Sequence, residues 1–252
     1  MTRLRSVDLP LVLIVSLALP AVMAAPQTVE QSAKPKQRPV AAVPAPRNDA
    51  GWKKRQESMN ARVKQGNVDL IFIGDSITHG WEGGGKKVWD EYYGKRNAVN
   101  LGIGGDQTQH VLWRLQNGNL EGISPKLAVV MIGTNNTGGQ KPEEIVAGIR
   151  AIVRTLREKT PETKVLVLAI FPRGKDNEDA RRKAVAAVNE LLAKRGGGRG
   201  NVTLLDIGPR FLEKDGTLSK EIMPDLLHLS PKGYQIWAEA IEPEVEKVMG
   251  KK

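Results

Sequence analysis

Val68-Asp69-Leu70-Ile71-Phe72-Ile73-Gly74-Asp75-Ser76-Ile77-Thr78 is the stretch that decides the fold. Val68–Ile73 is a nearly continuous apolar run, the pattern of a strand buried on both faces. Gly74 permits a sharp exit, and Ser76 falls where a strand hands over to a helix. Outward from it, similar runs recur at Ala98–Leu101, Leu127–Ile132, Val165–Ile170 and Val202–Leu205. Segments of helical period lie between them. Ile145, Ile149, Ile152 and Leu156 follow a Pro142-Glu143-Glu144 start, a favourable first turn. Ala184, Val188, Leu191 and Leu192 form a second stripe, ended by the glycine-rich stretch Gly196–Gly200. Trp237, Ile241, Val245 and Val248 form a third, with Ser230 as N-cap and Pro231 at the first helical position. Buried strands alternating with amphipathic helices predict an α/β three-layer sandwich around a parallel sheet. The folded domain is expected to span residues 51–252.

The chain ahead of that domain reads differently. Arg3 and Arg5 precede the apolar stretch Leu9–Ala24, and Val22-Met23-Ala24 fits the small-residue rule for signal-peptidase cleavage. An uncleaved anchor is the alternative, but the stretch is short of the roughly 20 residues a spanning helix needs and contains Pro10 and Pro20. Residues 1–24 are therefore read as a signal peptide, with no integral span after cleavage and a secreted or periplasmic location in a bacterium. Residues 25–50 hold five prolines and almost no large apolar side chain. They are expected to form a disordered, Pro-rich linker.

Composition excludes several classes. The 252 residues are 40% hydrophobic and 26% charged, ordinary for a globular chain with a core. There is no cysteine, hence no disulfide, no thiolate metal site and no lipid-anchored N-terminus. His79, His110 and His228 are the only histidines, little material for a multi-histidine metal centre. The net charge is +10. Removing +1 for the signal segment and +2 for the linker leaves +7 on the domain, scattered among acids. No nucleic-acid-binding module is present in the sequence, so a solvated basic surface is expected, with an anionic envelope polymer as the other reading. A homodimer is compatible with the sequence.

In a parallel α/β sheet, ligands bind outside the carboxyl ends of the strands. Those ends carry Gly74-Asp75-Ser76-Ile77-Thr78, Gly102-Ile103-Gly104-Gly105-Asp106 and Gly133-Thr134-Asn135-Asn136, with Asp225-Leu226-Leu227-His228 ahead of the last helix. The glycine cluster has the wrong spacing and follows the second strand, so it is not a dinucleotide fingerprint.

Together these segments resemble the SGNH (GDSL-like) serine hydrolases. The carrying blocks are residues 72–81 (FIGDSITHGW), 100–115 (NLGIGGDQTQHVLWRL), 132–136 (IGTNN) and 225–234 (DLLHLSPKGY). The second block and Phe171-Pro172-Arg173-Gly174 look most like the catalytic subunits of intracellular platelet-activating-factor acetylhydrolases and their bacterial relatives. The resemblance implies a flavodoxin-like five-stranded parallel sheet, no metal and no organic cofactor. By block it assigns an oxyanion hole to the backbone N–H groups of Ser76 and Gly105 and the side-chain amide of Asn135. The export signal, the Pro-rich linker and the glycine-rich loop Trp81–Lys87 depart from that pattern, and the loop is expected to shape the pocket.

Ester hydrolysis supplies the remaining roles. Ser76 needs a base to take its proton, His228 is the candidate, and Asp225 can hold the imidazole from three residues earlier. His79 is a rival base, better placed to line the pocket, and His110 reads as structural. Asn136 competes with Asn135 for the oxyanion. Asp75 as an aspartyl nucleophile would need acidic metal ligands that are absent from the sequence nearby. The Gly-x-Ser-x-Gly elbow of the α/β-hydrolases does not match. Short segments between the blocks leave no room for a lid. The expected function is removal of a small acyl group, acetyl first, from a small-molecule or polysaccharide ester. The alternatives are a lysophospholipase or platelet-activating-factor-acetylhydrolase-like lipid esterase, and a non-catalytic envelope-binding protein.

Overall fold

The computed structural model describes residues 38–196 and 200–251. The segment read as an export signal lies outside the described residues, as does linker sequence before Arg38. Five strands form one parallel sheet: β1 (Leu70–Gly74), β2 (Ala98–Gly102), β3 (Leu127–Met131), β4 (Lys164–Leu168) and β5 (Val202–Leu205). Their order is β2-β1-β3-β4-β5. Gly74 stands level with Gly102 on one side and Met131 on the other, so three strand ends open at the same height.

Each strand alternates its side chains between two buried layers, which is why the apolar runs are continuous. Ile71 and Ile73 face one core with residues of α1 (Ala50–Lys64), α4 (Thr108–Gln116), α5 (Pro142–Lys159) and α6 (Ala180–Gly196). Leu70 and Phe72 face the other, with residues of α2 (Ser76–His79), α3 (Lys86–Tyr92) and α7 (Pro231–Met249). Helix α5 packs on the four residues of its sequence stripe, all buried. Helix α7 begins as its sequence asks: Ser230 Oγ accepts from the Gly233 N–H, and Pro231 takes the first position. Its interior Pro243 removes one backbone donor without ending the helix.

The structure corrects the linker expectation for residues 38–49. This stretch is laid against the domain, not disordered: Ala41 is fully buried, its carbonyl accepts from Thr108 Oγ1 at 2.8 Å, and the Ala45 N–H donates to the Gln109 carbonyl at 3.1 Å. Prolines had suggested a solvated spacer, but specific backbone pairing offsets the small apolar area. The folded unit therefore starts before residue 51, and α1 is N-capped by Asp49, whose side chain accepts from the Trp52 N–H. At the start of the glycine-rich loop, Trp81 is fully buried between Phe72, Tyr234 and Trp237, so that residue belongs to the core, while Glu82, Gly83 and Gly84 after it are exposed.

Candidate active site

The strand order reverses direction between β1 and β3, the place where open α/β sheets leave a crevice. Ser76 is the first residue of α2, directly after the exit of β1. Its N–H belongs to the first turn, where the helix itself supplies no acceptor. The Asp75 side chain caps the helix through the Ile77 N–H at 3.0 Å. Tyr234 Oη donates to the Ile77 carbonyl at 2.7 Å, fixing the short helix to α7.

The loop before α7 brings the other two groups. Ser76 Oγ lies 2.9 Å from His228 Nε2, and His228 Nδ1 lies 2.6 Å from Asp225 Oδ2. Asp225 also accepts the backbone N–H groups of Leu227 and His228 through Oδ1. Partial burial alone would raise its carboxyl, but the bonds to the backbone and imidazole of His228 hold it below the usual carboxylate range. The tight turn needs Leu226 in the left-handed region, φ 61°. A leucine there stores strain of about 1–3 kcal/mol. The Gly174 N–H, donated to the Leu226 carbonyl at 2.9 Å, helps hold it.

The glycine turn after β2 closes the opposite side. Gly102 packs so tightly on α2 that a Cβ would stand 2.4 Å from the His79 backbone nitrogen, and Gly105, which is exposed, adopts φ 79°. Asn135 and Asn136 separate clearly. Asn136 is fully buried and spends its amide on Thr108, Gln109 and Gln140. Asn135 is half-buried, and its Nδ2 donates one hydrogen bond, to the Asp106 carbonyl at 2.9 Å, of the two that an amide can give.

The Nδ1 atoms of the other two histidines are engaged by backbone N–H groups. His79 Nδ1 accepts from the Gly104 N–H at 3.4 Å, and burial, then the Arg55 charge, lowers its pKa. His110 Nδ1 accepts from the Gln107 N–H at the start of α4, a capping role. Asp75 is fully buried with Oδ2 unpartnered, and burial pushes its carboxyl up to about 7. A carboxyl sealed behind the serine in this way is no nucleophile. Sequence reasoning missed Asp106, fully buried and bonded to Trp52 and Arg114, and missed the strained Leu226. Asp106 was visible only as the end of a glycine turn, and nothing in a single sequence marks a left-handed leucine.

A hydroxyl, an imidazole and a carboxylate in one hydrogen-bonded line are the parts that nucleophilic acyl transfer requires. The profile of the GDSL-like lipase/acylhydrolase family matches residues 72–236. This chain belongs to that family. It is a GDSL-family carboxylic ester hydrolase. Platelet-activating factor acetylhydrolase IB subunit alpha1 from Homo sapiens is 42% identical over 189 residues, covering 74% of this chain and 79% of that protein. Among solved structures, a GDSL-like lipase from Bacteroides thetaiotaomicron superposes with a TM-score of 0.62 at 20% identity, covering 77% of this chain and 97% of that one. Axe2, an acetylxylan esterase from Geobacillus stearothermophilus, gives 0.55 at 20% identity, covering 74% and 96%. These two likenesses establish the fold. Among the described residues, no helix of this GDSL hydrolase is long and apolar enough to cross a membrane.

Proposed function

We propose that this chain is an exported serine esterase that removes small acyl groups, acetyl foremost, from an alcohol, most naturally a carbohydrate. The observation that carries the chemistry is the unbroken line from Ser76 Oγ through His228 to Asp225 Oδ2. His228 Nε2 takes the Ser76 proton as Oγ attacks the ester carbonyl. The tetrahedral oxyanion then meets the N–H groups of Ser76 and Gly105 and the side-chain amide of Asn135. On collapse, His228 returns the proton to the departing alcohol, leaving an acyl-Ser76 ester. A water molecule, deprotonated by His228, repeats the sequence and releases the carboxylic acid. Asp225 holds the Nδ1 proton throughout, so that the neutral imidazole accepts at Nε2 and the imidazolium formed there is stabilised.

Two observations support a small acyl group and a bulky alcohol. The side chains of Asp225 and His228 are 55% and 45% exposed, so the crevice is open. The segments joining the site motifs form the core helices themselves, with no inserted lid domain between residues 72 and 236. Export rests on residues 1–24, whose basic start, apolar stretch and Val22-Met23-Ala24 fit a cleaved signal. Axe2 acts, by its name, on acetylxylan. The human relative, an acetylhydrolase of platelet-activating factor by name, favours a lipid alcohol as the second reading.

Hydrolysis of nitrophenyl esters from acetyl to decanoyl, with Ser76→Ala alongside, tests this. A Ser76-dependent rate that falls steeply beyond butyryl is expected. A rate persisting to decanoyl would favour the lipid reading, and no Ser76-dependent rate would overturn esterase action at this site.

A further inference from the structure

The Asp106 carboxylate has no part in the chemistry above, yet it is fully buried and every oxygen on the residue is engaged. Oδ2 accepts from Arg114 Nε at 2.8 Å, and Oδ1 accepts from Trp52 Nε1 at 2.8 Å. The main-chain carbonyl accepts from Asn135 Nδ2 at 2.9 Å. Arg47, at the end of the segment laid over the domain, reaches the same place. Its Nη1 donates to the Gly104 carbonyl at 2.7 Å and stands 3.5 Å from Asp106 Oδ1. A Cβ at Gly105 would lie 3.1 Å from that nitrogen. Arg114 in turn donates to Asn119 and, at 3.4 Å, to the Gly74 carbonyl at the end of β1.

We propose that Asp106, clamped by Arg47 and Trp52 from the N-terminal segment and by Arg114 from α4, is a positioning residue that sets the spacing of the oxyanion donors of Gly105 and Asn135. The inference rests on the oxyanion reading given above. Gly105 is exposed and left-handed, and the atoms that stand nearest its Cβ position all belong to Arg47. Asn135 is fixed by one amide bond, and the acceptor of that bond is the backbone of Asp106. The two donors therefore share a single anchor. The buried Asp106–Arg114 pair contributes little net stability compared with an apolar pair of the same size, and what it does supply is one defined geometry. Arg47 completes the anchor from outside, which makes residues 38–52 part of the hydrolytic apparatus and explains why a proline-rich stretch stays on the surface of the domain.

Arg47 offers the cleanest test, because its side chain is 27% exposed whereas those of Asp106 and Arg114 are fully buried. In Arg47→Ala we expect kcat for nitrophenyl acetate to fall about tenfold or more, since a donor misplaced by about 1 Å can cost a hundredfold. KM should stay within about twofold, because the oxyanion exists only beyond the ground state. Trp52→Phe, which keeps a ring but loses the Nε1 donor, should show the same split. Arg47→Lys should restore part of the rate. In an Asn135→Ala background, Arg47→Ala should cost less than it does alone, because the part of its effect that runs through Asn135 is already lost. Thermal unfolding of each variant confirms that the folded protein is being assayed. An unchanged kcat in both variants, a defect confined to KM, or full additivity with Asn135→Ala would overturn the proposal. Retained activity in Ser76→Ala would instead bring down the site reading itself.

Discussion

Asn135 and Asn136 are chemically identical neighbours with opposite fates, and the difference is burial and bond count. Asn136 is sealed in the interior with its amide fully used, whereas Asn135 is half-buried and its amide donates a single bond, to the Asp106 carbonyl. Asn135→Ala should therefore lower kcat roughly a hundredfold or more with little change in KM. Asn136→Ala should instead lower stability by about 1–3 kcal/mol by orphaning its partners, as a denaturant titration would show. Asp75 makes a second prediction at this scale. Burial, opposed by the Ile77 N–H and assisted by the Asp106 charge, raises its carboxyl from 3.8 to about 7 in the folded chain. The native state thus holds a proton that the unfolded chain releases, so stability from this group is complete below about pH 4 and is lost as pH rises through about 7. The melting temperature of the wild type relative to Asp75→Asn should fall between those limits. A difference that does not vary with pH would contradict it. Both asparagines were legible as a pair in the sequence, but choosing between them required the three partners of the Asn136 side chain, which come from α4 and from the loop before α5.

The strands were legible element by element because burial on both faces writes a continuous apolar run, and α5 and α7 because their stripes are unbroken. Helix α1 was not. Its buried positions, Trp52, Gln56, Met59 and Val63, have helical spacing, but a glutamine breaks the apolar stripe. Gln56 is satisfied only in the fold, donating to the Asn117 carbonyl at 2.9 Å. The segment before it was misjudged for a related reason: its attachment uses backbone carbonyls and one arginine, none of which composition records. A chain starting at Gly51 loses the Asp49 cap, the bonds of Ala41 and Ala45 and the Arg47 contacts together. It should unfold at a lower temperature than a chain starting at residue 25, by about 2–4 °C for each kcal/mol lost. Equal melting temperatures would show that the segment contributes no stability.

Across the whole molecule, one sheet brings residues from four distant blocks of sequence to one edge. The order β2-β1-β3-β4-β5 sets Ser76, the Gly104-Gly105 turn and Asn135 side by side, and the loop leading into α7 returns His228 across 152 residues of sequence. The site's outline was legible from the order of those blocks. Its support was not, because Asp106 and Leu226 matter only through groups that the folded chain brings to them. The central claim is that Ser76 is the acyl-accepting nucleophile, and the most direct measurement is reaction with a fluorophosphonate followed by peptide mass spectrometry. One equivalent of label is expected on the peptide carrying Ser76, with esterase activity lost in step and no labelling of His228→Ala above a few per cent, since the hydroxyl is inert without its base. Label on another residue, or full activity in protein labelled at Ser76, would contradict it.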